Sequence, residues 1–229
     1  MSAELAARLA AVRARLDRAA ERAGRDASGV VLVAVSKRHP ATAVDSAFAA
    51  GQLDFGENYA QELAEKRAQA RCGDSARWHF IGRLQRNKVK LVVGIASLIH
   101  AVDSERLATA IDKRARELSL VQRVLIAVNT GGEEQKSGVA PDDVRGLVEV
   151  VDQLASVRCE GLMTMPPWPE HAEDSRPHYR AVRELRDQLS RPDRPLWELS
   201  MGTTGDMEVA VEEGATLVRV GTAVFGSRA

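Results

Sequence analysis

Lys37 closes an apolar, β-branched run, Val31 to Lys37 (Val-Leu-Val-Ala-Val-Ser-Lys), and is the first residue of the chain that could do chemistry. The run is too short to span a membrane and reads as a buried strand. Side chains alternate across a strand, so Val31, Val33 and Val35 share a face with Lys37, and that face reads as the inside. Two readings are open. The strand has ended and the ammonium is in solvent, or burial lowers the lysine pKa and readies its amine to attack a carbonyl. Lysine is scarce here: six of the 32 basic residues are lysine and the rest arginine, which cannot serve as an amine nucleophile. That scarcity favours the second reading.

The elements that must position Lys37 follow a repeating unit of short apolar strand, polar loop and helix. An Ala/Leu/Arg helix over 3–23, with Leu5, Leu9, Val12, Leu16 and Ala19 as its stripe, precedes them and stops at Gly24. After the Lys37 strand come Leu53–Phe55, Trp78–Gly82, Ser97–Val102, Val124–Val128, Val157–Met163, Leu196–Ser200 and Thr216–Val220. Most are followed by a helical stretch: 42–50, 59–69, 87–93, 104–118, 142–154, 174–189 and 206–213. Strand–helix alternation predicts a parallel sheet with right-handed crossovers, and eight units predict a single (β/α)8 TIM barrel with an extra N-terminal helix. A doubly wound open sheet is the competing fold. No linker or compositional break divides residues 1–229, so one domain is expected.

Composition narrows the function. Lys+Arg and Asp+Glu are both 32, so the formal net charge is zero, which argues against bulk electrostatic binding of nucleic acid. No apolar stretch reaches the roughly 18 residues of a membrane span, and the N-terminus lacks an apolar signal core. Cys72 and Cys159 stand apart without CxxC spacing, which fits a reducing cytoplasm and no metal site.

In a barrel of this kind the chemistry belongs at the C-terminal strand ends. Those ends read Lys37, Phe55-Gly-Glu-Asn58, Gly82, His100 to Asp103, Asn129-Thr-Gly-Gly132, Met163-Thr-Met165, Ser200-Met-Gly202 and Arg219-Val-Gly221-Thr222. Ser200 to Gly205 follows strand seven and Gly221-Thr222 follows strand eight. Each alone is more often a tight turn than a site. Together they occupy the two places where barrels hold phosphate, on backbone N–H groups and a helix N-terminus. A lysine amine and a phosphate cradle at one mouth suggest pyridoxal 5'-phosphate, which carries an aldehyde and a phosphate.

Long motifs then match a known family: Val33-Ala-Val-Ser-Lys37, Phe55-Gly-Glu-Asn-Tyr-Ala-Gln-Glu62, His79-Phe-Ile-Gly-Arg-Leu-Gln-Arg-Asn-Lys88, Gln135-Lys-Ser-Gly138, Gly161-Leu-Met-Thr-Met165, Leu199-Ser-Met-Gly202 and Val218-Arg-Val-Gly-Thr-Ala-Val-Phe-Gly226. The chain resembles the pyridoxal phosphate homeostasis proteins, relatives of the alanine racemase N-terminal barrel. The resemblance implies that Lys37 is the Schiff-base lysine of a fold-type III barrel. It implies phosphate contacts at Ser200, Gly221 and Thr222, with the backbone of Met201 and Gly202 close by. Arg219 is implied to face the pyridine nitrogen, and Asn58 to lie near the cofactor. An arginine there keeps the ring nitrogen unprotonated and weakens the ring as an electron sink; the alternative is a strand-end arginine paired with a carboxylate. Two places depart from the family: Thr203-Thr204-Gly205 follows Ser-Met-Gly, and His39 stands where a second lysine is common.

Lys136 competes with Lys37, but two neighbouring glutamates raise an ammonium pKa and make it a poorer nucleophile. Trp168 and its prolines form a loop that is either lid or surface. Two functions follow: a carrier that holds and supplies pyridoxal phosphate to apo-enzymes, or a racemase-like catalyst using the same lysine. A racemase takes its second acid/base from a further domain, which this chain is not expected to have. The carrier, as a cytoplasmic monomer, is the expectation; Tyr59 or His79 would be the second group if catalysis occurs.

Overall fold

The computed structural model of the chain describes residues 2–132 and 137–226; Lys136 lies outside them. Helix α1 (Ser2–Arg22) comes first. Its Leu5, Leu9, Val12 and Leu16 recur every three to four residues and are all buried. Gly24, at φ +64°, turns the chain away after it.

The unit of strand and helix then repeats in chain order. β1 (Val31–Val35), α2 (Ala41–Ala49), β2 (Asp54–Glu57), α3 (Ala60–Gln69), β3 (Arg77–Phe80), β4 (Leu98–Val102), α4 (Glu105–Glu117) and β5 (Gln122–Val128) form the first half. α5 (Val144–Asp152), β6 (Val157–Thr164), α6 (Arg176–Leu189), β7 (Glu198–Ser200), α7 (Met207–Glu212), β8 (Leu217–Val220) and α8 (Thr222–Phe225) complete it. All neighbouring strands are parallel and β8 returns to β1, closing the barrel. The open sheet is thereby excluded: Val31 pairs with Leu217 and Ala34 with Val220.

The connection between β3 and β4 differs from the sequence expectation. It is a 3-10 turn over Arg86–Leu91 rather than an α-helix. Branched Val89, Val92 and Val93 disfavour a longer helix there, and Gly94 at φ +88° turns the chain before β4. Ser104 sits at the N-cap of α4, but its hydroxyl donates to Asp103 and accepts no helix N–H.

Period-two alternation sorts the strand residues into two cores. Leu32, Ala34, Phe55, Trp78, Ile99, Ile126 and Val218 face the surrounding helices. Val33, Leu98, Leu125 and Leu217 form a separate apolar layer inside the barrel, with Val31 and Met163 against it. Val33 and Val31 therefore do face inward. Both cysteines are free and buried. Among the described residues no helix is long and apolar enough to cross a membrane, and no His/Cys/Asp/Glu group could hold a metal ion.

Candidate functional site

Because every strand runs the same way, all C-terminal ends open on one mouth. Lys37 lies in the turn that leaves β1, half-buried. That turn is fastened on both sides. Lys66 of α3 donates from Nζ to the Ser36 carbonyl (2.5 Å) and to Glu57 Oε1 (2.7 Å). The Ser36 hydroxyl donates to the same Glu57 oxygen at 2.6 Å. On the other side the Arg38 N–H donates to Glu62 at 2.9 Å, where Arg38 takes φ +63°. The Phe55-to-Glu62 segment thus holds the backbone on either side of the lysine.

A cavity of about 260 Å³ opens beside Lys37. Asn58, Thr203, Thr204, Gly205, Arg219, Gly221 and Thr222 line it, with Ile81, Met165 and Trp168 as apolar wall. A second cavity of about 300 Å³ shares Asn58, Ile81, Met165 and Arg219 with the first. Trp168 is 92% exposed and stands at the rim. Asn58 Oδ1 is buried and has no hydrogen-bond partner among the described residues. An unsatisfied buried carbonyl oxygen beside a cavity is an open position for a donor.

The turn after β7 is pinned by one carboxylate. Asp206 Oδ1 accepts from the Thr203 N–H (2.7 Å) and the Thr203 hydroxyl (3.0 Å). Its Oδ2 accepts from Ser175 (2.8 Å) and from the buried Tyr179 hydroxyl (2.5 Å). The departure at Thr203-Thr204-Gly205 therefore gives an ordered turn facing Lys37. At the β8 end, a Cβ on Gly221 would come within 3.3 Å of the Val35 carbonyl, so β1 and this turn approach closely.

Arg219 is buried, and burial lowers its pKa from the ordinary value. It is not paired with a carboxylate among the described residues. Its Nη1 donates to Ser200 Oγ at 2.6 Å and its Nη2 to the Thr164 carbonyl at 2.8 Å.

Ser200 requires a correction. Its side chain is fully buried, bonded to Arg219 and, at 2.8 Å, to His100 Nδ1, and it does not line the cavity. With strand seven in this register, Ser200 points into the barrel behind Arg219. Met201 and Gly202 are also buried: the Met201 N–H donates to Leu217 and the Gly202 carbonyl accepts from Arg219. Gly202, at φ +91°, has no room for a Cβ, which would lie 2.5 Å from that of Ala210.

Behind Ser200 runs a set of polar side chains whose connection the strand ends did not reveal. His100 Nε2 meets His79 Nδ1 at 2.9 Å, and His79 Nε2 meets Asp54 Oδ1 at 3.0 Å. The available signal was their inward parity along β2, β3 and β4. His79 therefore does not line the Lys37 cavity, and neither does Tyr59, which is 47% exposed at the start of α3. His39 stacks on Phe225 with ring centroids 5.1 Å apart.

Comparison with known proteins adds the family. Residues 7–229 match the alanine racemase N-terminal domain. The pyridoxal phosphate homeostasis protein of Aquifex aeolicus is 47% identical over 222 residues, 96% of this chain and 97% of its own length. The chain belongs to the pyridoxal phosphate homeostasis protein family. Its members include the Escherichia coli protein, 39% identical across 98% of this chain. The structure of PipY from Synechococcus elongatus without PLP superposes with a TM-score of 0.87 at 37% identity, covering 97% of this chain and all of PipY; PipY has also been solved with PLP bound. Alanine racemase from Corynebacterium glutamicum shares the fold alone, at TM-score 0.68 and 18% identity, with 61% of its length covered.

Proposed function

We propose that the chain holds pyridoxal 5'-phosphate in the Lys37 cavity and passes it to apo-enzymes, as a carrier that buffers the cofactor in the cytoplasm. One observation carries the reading: a single amine, Lys37, shares a cavity with Arg219, Asn58 and the turns at Thr203–Gly205 and Gly221–Thr222. When bound, the cofactor supplies an electrophilic aldehyde, a pyridine ring and a phosphate dianion. Lys37 would take the aldehyde, Arg219 the ring nitrogen, and Asn58, with its unsatisfied oxygen, a donor on the ligand. Thr204, Thr222 and the backbone of the two turns would hold the phosphate. Ser200 would act through Arg219, and Met201 and Gly202 by shaping the turn.

The protein's own residues favour holding over turnover. Among the described residues, the Lys37 cavity is lined by no carboxylate, imidazole, phenol or thiol. Moving a proton between the two faces of a substrate carbon needs two acid–base groups. Arg219 is a donor without an accessible neutral form, so it orients and cannot serve as the base. We further propose that the carrier is a monomer; sedimentation at micromolar concentration would show a 24.9 kDa species.

The test is direct. Native protein mixed with the cofactor should show a visible absorbance band and, after borohydride, a mass adduct on Lys37. Lys37→Ala should lose both. An adduct mapped to Lys136 would move the site. Holo-protein should reactivate a pyridoxal-dependent apo-enzyme, while L-alanine in deuterated buffer should gain deuterium slowly or not at all. Exchange at about 1 s⁻¹ or faster, the low end of ordinary enzyme turnover, would make it an enzyme instead.

A further inference from the structure

The interior polar chain runs from one end of the barrel to the other. Asp54 and Arg77 open β2 and β3, and both line a cavity of about 330 Å³ at the N-terminal end, opposite the Lys37 mouth. Arg219 stands at that mouth. Between them lie His79, His100 and Ser200, buried, with successive contacts of 3.0, 2.9, 2.8 and 2.6 Å from Asp54 to Arg219.

The order of protons along this chain can be worked out. A guanidinium only donates, so Ser200 Oγ accepts from Arg219. At the other end, the Asp54 carboxyl pKa is lowered: burial opposes this, and the hydrogen bonds from His79 and Arg77 outweigh it. Asp54 is an anion and only accepts, so His79 carries hydrogen on Nε2. Burial first, with the charges of Arg219 and Arg123 adding to it, drives the His100 pKa well below its usual value, so His100 is neutral with one N–H. The arrangement that satisfies every atom without a further buried charge is a single one. His100 Nε2–H donates to His79 Nδ1, and Ser200 O–H donates to His100 Nδ1. A cationic His79 would force the hydrogen of His100 onto Nδ1. Ser200 would then receive two donors, and a fourth cation would join Arg77, Arg123 and Arg219.

We propose that Ser200, His100, His79 and Asp54 are positioning residues for Arg219: a one-way hydrogen-bond relay that fixes the guanidinium in the Lys37 cavity from the opposite end of the barrel. Every donor along it points toward Asp54. Arg219 is thereby held by an oxygen whose own hydrogen is turned away from it. The relay is built from the chain's own residues; only its effect on bound pyridoxal phosphate rests on the function proposed above.

The experiment uses nitrogen-15 spectra of histidine- and arginine-labelled apo-protein. In the native chain, His79 and His100 should each show a bare Nδ1 and a protonated Nε2, and Arg219 should show slowly exchanging Nη signals. Asp54→Asn removes the anion that demands a donor. It should turn His100 into a mixture of tautomers and broaden the Arg219 signals, although residue 54 does not touch Arg219. Ser200→Ala should separate the two effects: it also broadens the Arg219 signals but leaves the His100 tautomer, which is dictated from Asp54, unchanged. Hydrogen on His100 Nδ1 in the native chain overturns the relay. So does an Asp54→Asn protein that melts lower yet keeps both signals, the result expected of a merely structural residue. With cofactor added, the visible band of Asp54→Asn should shift from the native position. An unshifted band alongside altered tautomers would show that the relay stops short of Arg219. Native protein that binds no cofactor would remove the functional reading and leave the spectra to decide the relay.

Discussion

At the scale of single residues, the Glu57–Lys66 pair is the structural counterpart of Lys37. Both partners are almost wholly buried, and Glu57 Oε2 has no hydrogen-bond partner among the described residues. Removing one member leaves the other charge uncompensated, so Lys66→Met should cost about 3–5 kcal/mol in a denaturant titration. Replacing both with apolar residues should recover most of that loss. Burial, opposed by Lys66 and Ser36, raises the Glu57 pKa from 4.5 to about 7. The sign follows from linkage. A raised folded-state pKa means the native protein binds more protons than the unfolded chain in this window. The stabilisation from this group is complete below pH 4.5 and is lost as the pH rises through about 7. Glu57→Gln should flatten that part of the stability–pH curve. An unchanged slope in the variant would assign the titration to another group.

At the scale of elements, α6 supports the turn beside the cavity. The Tyr179 hydroxyl donates to Asp206, the carboxylate that also holds the Thr203 turn. Burial raises the Tyr179 pKa, with the charge of Asp206 adding to it, so the phenol stays protonated and remains a donor. Tyr179→Phe should lower stability by about 1.5–3 kcal/mol, the worth of a hydrogen bond to a charged group. Retention of pyridoxal phosphate should weaken as well, while borohydride still marks Lys37. Equal retention by variant and native protein, measured by dialysis, would show that the turn does not need this anchor. α1 works in a similar way: it lies across α7 and α8, the helices that follow the two turns. Leu9, 1% exposed, lies on the buried stripe of α1. Leu9→Ala should cost about 2–5 kcal/mol in a denaturant titration.

At the scale of the whole molecule, a ligand that binds only the closed barrel stabilises it by mass action. Pyridoxal phosphate at a hundred times its dissociation constant should add about 2.7 kcal/mol to unfolding and raise the melting temperature accordingly. Pyridoxal, which lacks the phosphate, should raise it much less at equal concentration. Equal shifts from the two would remove the phosphate cradle from the account.

The sequence by itself determined the repeat of strand and helix, the inward parity of Val31 and Val33, and the strand-end position of Lys37. It also placed Asn58, Arg219, Gly221 and Thr222 at one mouth, because parallel strands bring all their C-terminal ends to the same side. These are local facts, set by period and chain direction. Closure of the ring was decided by the pairing of β1 with β8, whose residues are far apart in sequence. The same holds for Ser200. Its place after strand seven gave it the look of a phosphate ligand, and only the register of β7 turned its hydroxyl toward Arg219 and His100. Asp54, His79 and His100 stand on three different strands, and nothing in the spacing of any one strand records the others. A buried polar side chain takes its role from the partner that satisfies it, and here the closed barrel brings those partners together.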